Sequence, residues 1–410
     1  MKKLRVIDLF AGCGGLSDGF EQTGLFRTIA YVEWESDPCK TIIKRFREKW
    51  GYSDIKERVF RFDIQRTGEL IEGWNNDPVF GSSDGLEITV ERENGVDLII
   101  GGPPCQAYSV AGRIRDKHHM HYDYRNYLFE SYLETVRHFR PKAIIFENVP
   151  GILSASPGGI PITERIIKAF RESGYEIISN LHKNTLIDFT LYGIPQRRSR
   201  VIIFGLSHSS EKGNIQTILH RFYNVVLQKY RAKQKSNVRD SIGDLSPFYP
   251  AKSEYKVEGK LYSHEPHTSE FSNHYPRCHN IRDIRIFREL AEDLKSGKNH
   301  YAKIDELKKL YTQKTGKISN IHKYYVLRWD EPSNTIPAHL YKDGLRHIHP
   351  DPEQARSITV REAARLQTFD DEFEFQGSMG SQYKMVGNAV PPGFAKILAK
   401  AIYELLTKGG

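Results

Sequence analysis

Arg5-Val6-Ile7-Asp8-Leu9-Phe10-Ala11-Gly12-Cys13-Gly14-Gly15 decides how the fold is read. The first half is a short apolar run carrying one carboxylate. The second half places three glycines in four residues. A run rich in Val, Ile and Leu at this length reads as a buried strand. The glycines let the backbone turn tightly and approach a ligand where a Cβ would clash. Strand, glycine turn and helix in succession have the mechanics of a nucleotide-binding turn, although the spacing is not G-x-G-x-x-G. A glycine turn needed only for packing is the alternative.

Outward from this stretch, residues 28–32, 96–100, 143–147 and 201–205 repeat the short apolar pattern and end in Gly, Pro or acidic residues. Helical candidates lie between them, at 126–139 and 162–173. Strands alternating with helices imply an α/β fold with a doubly wound, mostly parallel sheet covered on both faces. Ligands of such sheets sit at the carboxyl ends of the strands. The pattern changes near residue 207. Residues 207–321 are rich in Tyr, His and Lys with weaker periodicity, and read as a second, smaller domain inserted between 1–206 and a return segment, 322–410. Within that return, 359–367 looks helical. So does 393–406, where Phe394, Ile397, Leu398, Ala401, Ile402 and Leu405 share one helical face.

The net charge is +9. Residues 207–330 hold 23 Lys and Arg against 14 Asp and Glu, so the rest of the chain is neutral overall. A basic region beside a neutral one points either to a polyanion-binding module on a neutral body or to a solvated basic surface. Four cysteines (Cys13, Cys39, Cys105, Cys278) show no paired framework, which fits a reducing cytoplasm. No apolar run is long enough for a membrane-spanning helix, and the opening stretch is too short for a signal peptide.

The chemistry-bearing residues fall at strand ends. The second strand runs into Glu33-Trp34, where an acid can bind ribose hydroxyls and an indole can lie against a base. Asp63-Ile64 follows another apolar run and suits an adenine amino group and ring. As alternatives, Glu33 and Asp63 are plain helix caps and Trp34 is plain core. Cys105 stands in Gly101-Gly102-Pro103-Pro104-Cys105-Gln106, a rigid turn at the sheet edge. A nucleophilic thiol there needs an electropositive neighbourhood; a small buried cysteine is the alternative. Glu147 in Glu147-Asn148-Val149-Pro150 places a carboxylate at the same edge. In Gln196-Arg197-Arg198-Ser199-Arg200, extended geometry points Arg198 and Arg200 together and Arg197 away.

In this order these blocks, with 126–129 and Gly387-Asn388-Ala389-Val390-Pro391-Pro392, resemble the cytosine-C5 DNA methyltransferases. The resemblance covers residues 4–205 and roughly 322–406. Tyr108 departs from the Phe usual in the family. The resemblance implies an S-adenosylmethionine-dependent methyltransferase fold whose insert is a target-recognition domain. It implies that Cys105 attacks cytosine C6, that Glu147 holds N3 and the amine, that Arg200 bonds O2, and that Arg198 supports the thiolate. Phe10, Gly12, Gly14, Glu33, Trp34, Asp63, Ile64, Pro104, Leu128 and Asn388 match cofactor-lining positions. Residues 106–125 match a loop that closes over DNA, where Ser109, Arg113 and Arg115 could reach the backbone. The substrate implied is a cytosine flipped out of double-stranded DNA, with a restriction endonuclease as a possible partner and a monomer as the usual form. A tRNA cytosine methyltransferase is the rival, disfavoured by the long basic insert. An inert DNA-binding scaffold is disfavoured by the intact Cys105, Glu147 and Arg200. His118-His119-Met120-His121 and the set His264, His267, His274, Cys278 and His279 lack metal-site spacing, so no metal is expected.

Overall fold

Val6, Ile7 and Leu9 have no solvent exposure and Asp8 is buried between them, so β1 (Leu4–Leu9) is covered on both faces, as a central parallel strand must be. A computed structural model describes residues 3–103, 128–156, 159–209, 213–318, 324–342 and 344–407. In it β1 pairs in parallel with β2 (Phe26–Glu33) on one side and β6 (Leu98–Gly101) on the other. β2 extends to β3 (Val59–Arg61) and β6 to β7 (Ala143–Asn148), both in parallel. β10 (Ser199–Ser207) joins β7 antiparallel and carries β8 (Tyr175–Ile177) and β9 (Leu186–Asp188), also antiparallel. The order is β3-β2-β1-β6-β7-β10-β8. The chain moves outward from β1 to β3 and then returns to β6, so the strand order reverses beside β1. Open α/β sheets bind ligands at such a switch point, beyond the carboxyl ends of the strands. This is the doubly wound, mostly parallel sheet that the sequence implies.

Between β3 and β6 the chain forms a hairpin, β4 (Trp74–Asp77) with β5 (Gly81–Ser83). Helix α1 (Gly15–Glu21) follows β1, and α2 (Ser36–Glu48) follows β2. The helix Pro392–Thr407 buries Phe394, Leu398, Ala401, Ile402 and Leu405, the face its spacing predicts, while Ile397 is half-buried. It packs against α1 so closely that a Cβ on Gly19 would lie 2.4 Å from Ala395 Cβ and 2.5 Å from the Pro392 carbonyl.

The chain divides into two compact units. The first comprises Met1–Tyr192, Arg198–Lys233 and Ala389–Gly410; the second comprises Gly193–Arg197 and Gln234–Asn388. These bounds differ from the expected insert of 207–321. Residues 213–233 stay with the sheet because the Phe222 ring sits 4.5 Å from Phe204, and Tyr223 Oη donates to the Ile202 carbonyl at 2.9 Å. Residues 324–388 join the second unit through its core, where Tyr324 and Ile348 pack with Ile286, Phe287, Leu290 and Leu310. That unit also contains the hairpin of β11 (Tyr249–Val257) and β12 (Lys260–Glu265). A buried ion pair, Arg356 Nη2 to Glu362 Oε1 at 2.6 Å, braces it. Glu362 also completes a capping box with Thr359 at the start of the helix Val360–Leu366. No helix among the described residues is long and apolar enough to cross a membrane.

Candidate active site

Three residues of the turn after β1 have left-handed backbone: Phe10 (φ 59°), Gly12 (φ 56°) and Gly14 (φ 84°). A Cβ on Gly14 would also press to 3.1 Å on the Phe46 ring, so glycine is required there twice over. The Cβ position of Gly12 faces open space, where a ligand can come close to the backbone. Glu33, at the end of β2, fixes this turn. Its Oε2 accepts the Gly12 N–H at 2.8 Å and its Oε1 accepts the Glu35 N–H at 2.8 Å. Each oxygen keeps a second lone-pair site. Burial pushes the Glu33 carboxyl above the usual range. Glu33 therefore ties the glycine turn to the start of α2, which is more than a helix cap. Trp34 is 56% exposed, which excludes core packing. Asp63 is half-buried and accepts only the local Gln65 N–H at 3.0 Å among its described bonds; Ile64 is buried beside it.

Sequence reasoning quoted Asp8 and gave it no role. It lies 1% exposed, accepts the Ser17 hydroxyl, and burial raises its carboxyl to about 7. The signal was a carboxylate inside an apolar strand, a placement that demands a partner.

At the other end of the switch point, the Gly101-Gly102 pair is dictated by close approach. A Cβ on Gly101 would lie 2.7 Å from the Leu9 carbonyl, and one on Gly102 would lie 2.6 Å from Glu147 Oε2. Asn148 Nδ2 donates to the Pro103 carbonyl at 3.3 Å. The strand leading to Cys105 is thus held against the Glu147-Asn148 turn. Arg200 Nε meets Glu147 Oε1 at 3.0 Å, with both side chains largely buried. Burial raises the Glu147 carboxyl, while Arg200 and Arg198 draw it back down. The same burial lowers both guanidinium groups, and Glu147 opposes the shift in each. Arg198 is 1% exposed, and its Nη2 donates to the Ala389 carbonyl at 3.0 Å. Arg197 pairs instead with Glu331 in the second unit, so the extended piece splits its arginines as alternation predicts.

Of the remaining sequence-predicted residues, Leu128 is buried at the start of the helix Leu128–Phe139. Asn388 is exposed and ends the helix Met379–Asn388 in the second unit, whereas the other described site residues belong to the first. Pro104, Cys105 and residues 106–125, with His118, His119 and His121, lie outside the described residues. Burial raises the thiols of Cys13, Cys39 (to about 12) and Cys278, which makes each a poor nucleophile at neutral pH. Among the described residues no group of His, Cys, Asp and Glu is arranged for a metal. The histidines of the second unit serve its packing: His264 Nε2 bonds the Gln354 carbonyl at 3.0 Å and His274 Nε2 the Ser246 carbonyl at 2.9 Å.

The family model described as C-5 cytosine-specific DNA methylase matches residues 4–404. This chain belongs to that family. The methylase is a DNA (cytosine-5-)-methyltransferase, and its similarity to relatives runs the full length. Type II methyltransferase M.Bpa9945I of Bacillus paralicheniformis is 36% identical, covering 98% of this chain and 99% of that protein. Type II methyltransferase M.Eco47II of Escherichia coli is 30% identical, covering 98% and 79%. A solved putative DNA modification methyltransferase encoded within an E. coli prophage shares the fold at a TM-score of 0.64 and 22% identity, covering 98% and 99%. The methylase fold also matches S. pombe Dnmt2 methyltransferase, at a TM-score of 0.55 and 15% identity over 99% of both chains.

Proposed function

We propose that this methylase transfers a methyl group from S-adenosylmethionine to carbon 5 of a cytosine flipped out of a specific duplex DNA sequence, with Cys105 attacking C6. The observation that carries the reading is the Glu147–Arg200 pair, packed against Gly102 at the edge where the described strand runs out toward Cys105. Carbon 5 of cytosine is a weak nucleophile. Addition of a thiolate at C6 moves the ring π electrons toward C5, and negative charge collects at N3 and O2. A carboxyl raised by burial can hold a proton at N3. A guanidinium beside it can bond O2, and Arg198 adds a second positive charge to the same pocket. Loss of the C5 proton and of the thiolate then restores the aromatic ring. The three described cysteines are disfavoured by their raised thiols, which leaves the role to Cys105.

The residues at the β1, β2 and β3 ends fit an adenosine-bearing cofactor. They offer a half-exposed indole, two carboxylates on adjacent strand ends, and a left-handed glycine with open space beside it. Glu33 would hold the ribose hydroxyls, Asp63 the adenine amine, and Trp34 and Ile64 the ring. When bound, the sulfonium would supply the electrophilic methyl group.

The basic region, 207–321, would read bases flanking the target, because the catalytic residues meet the same cytosine whatever surrounds it. The type II names of the relatives favour a role in protecting DNA from a partner endonuclease. Bisulfite sequencing of DNA from cells expressing the protein tests the whole reading. A single recurrent sequence context should stay unconverted. Uniform conversion, with cytosines of tRNA protected instead, would move the substrate to RNA.

A further inference from the structure

Glu33-Trp34 and Phe62-Asp63-Ile64 sit on neighbouring strands, and one side chain from outside both strands touches the aromatic member of each. Phe80, at the end of the β4–β5 connection, meets the Trp34 ring at 6.5 Å and 74° and the Phe62 ring at 5.1 Å and 63°. Such edge-to-face pairs are worth roughly 0.5–1.5 kcal/mol each beyond their burial. Arg61 spans the same pair: its Nε donates to the Trp34 carbonyl at 3.4 Å, and its guanidinium lies 5.8 Å from the Phe80 ring centre.

The hairpin is built to hold Phe80 there. Asp77 Oδ1 accepts the N–H groups of Val79 (2.8 Å) and Phe80 (2.9 Å), which fixes the turn. Arg66 Nη1 bonds Asp77 Oδ2 at 2.5 Å while its guanidinium lies 4.6 Å from the Phe62 ring centre. Trp74 stacks on Phe62 at 3.9 Å. Neighbouring Val79 is 58% exposed, yet Phe80 turns inward. Trp34 is therefore oriented by a neighbour without being covered by it, which leaves it 56% exposed.

We propose that the β4–β5 hairpin is a positioning element for the cofactor, with Phe80 presetting the Trp34 and Phe62 rings that flank the adenosine-binding carboxylates. This rests on the adenosine site proposed above. An indole fixed before the ligand arrives loses no rotamer freedom on binding, so the hairpin acts on affinity and leaves the chemical step alone.

The test is calorimetric titration of S-adenosylmethionine into the full-length protein without DNA, alongside steady-state kinetics. Phe80→Ala should raise Kd by about 3- to 10-fold. KM for the cofactor should rise by a similar factor, with kcat at saturating cofactor within about twofold. Phe80→Tyr should restore the affinity. Should Phe80→Ala fail to fold, Phe80→Leu keeps apolar bulk on Phe62 but offers no ring, and should show the same loss with a near-normal melting temperature. The double variant Trp34→Ala with Phe80→Ala should bind no more weakly than Trp34→Ala alone. Additive losses, or a Phe80→Leu protein with wild-type affinity, would overturn the positioning role. Unchanged affinity in both Trp34→Ala and Glu33→Ala would instead overturn the adenosine site beneath it.

Discussion

Arg200 Nε stands 3.0 Å from Glu147 Oε1, across the antiparallel seam of β7 and β10. Glu147 is in register with Ile202, so Arg200 reaches it diagonally from two residues earlier on its strand. The pair joins a carboxyl that burial raises to a guanidinium that burial lowers, and each partner offsets the shift of the other.

Glu147→Gln keeps the shape of that site but cannot deliver a proton to N3. Turnover should fall by about 10²-fold or more. Affinity for S-adenosylmethionine, measured without DNA, should stay within about twofold. Wild-type turnover in this variant would remove Glu147 from the chemistry.

Duplex DNA carrying 5-fluorocytosine at the target should trap a covalent adduct when cofactor is present, because fluorine cannot leave as a cation. Cys105→Ser should abolish both adduct and turnover. Mass mapping should place the adduct on the peptide containing Cys105. An adduct on Cys13, Cys39 or Cys278 would contradict the assignment and the raised thiols of those three.

Asp8 predicts a pH dependence of stability. Its carboxyl is raised to about 7 in the folded chain, above its value when unfolded. The folded state then holds a proton that the unfolded state gives up, so this contribution is complete at acid pH and lost as pH rises to about 7. Asp8→Asn removes the titration and still accepts from Ser17. Its stability relative to wild type, from urea melts, should climb between about pH 4 and pH 7 and level off above. A pH-independent difference would show that Asp8 is ionised in the folded protein.

Gly19→Ala sets two effects against each other. Alanine favours a helix over glycine by up to about 1 kcal/mol. A Cβ forced to 2.4 Å from Ala395 and 2.5 Å from a backbone oxygen costs about 1–3 kcal/mol. The clash should win, and the denaturation midpoint should fall. A protein as stable as wild type would mean that α1 and the helix Pro392–Thr407 lie further apart.

Exchanging the recognition region with that of a relative of different target should move methylation to the donor's site. The graft should succeed when it starts at Gln234 and fail to fold when it starts at 207, since Phe222 and Tyr223 complete the packing of β10. Restriction-site protection assays read both outcomes. An active graft that kept the original target would place sequence choice elsewhere.

Much of this was legible in the chain because the residues involved obey local rules. Apolar runs gave the five longest strands of the sheet, and Thr359 with Glu362 announced a capped helix. Arg198 and Arg200 separated from Arg197 by strand alternation alone. What stayed hidden depended on distant partners. Segment 213–233 read as part of the basic insert because Arg221, Lys229, Arg231 and Lys233 dominate its composition, yet Phe222 and Tyr223 decide where it packs. β8 and β9, three residues each, are too short to show a period. Phe80 looked like a loop aromatic, since nothing local says that Trp34, 46 positions earlier, receives it.

The approach of Gly19 to Ala395 also sets a clock on biosynthesis. A ribosome adding about 5–20 residues per second makes α1 on the order of 20–70 s before the helix that covers it. Through that interval the nascent methylase carries the face of its first crossover helix without a cover, open to chaperones and proteases. Products that stop short of residue 392 never receive the cover. The capacity to mark DNA should therefore arrive in one late step, once that helix has been made, and should not grow with chain length.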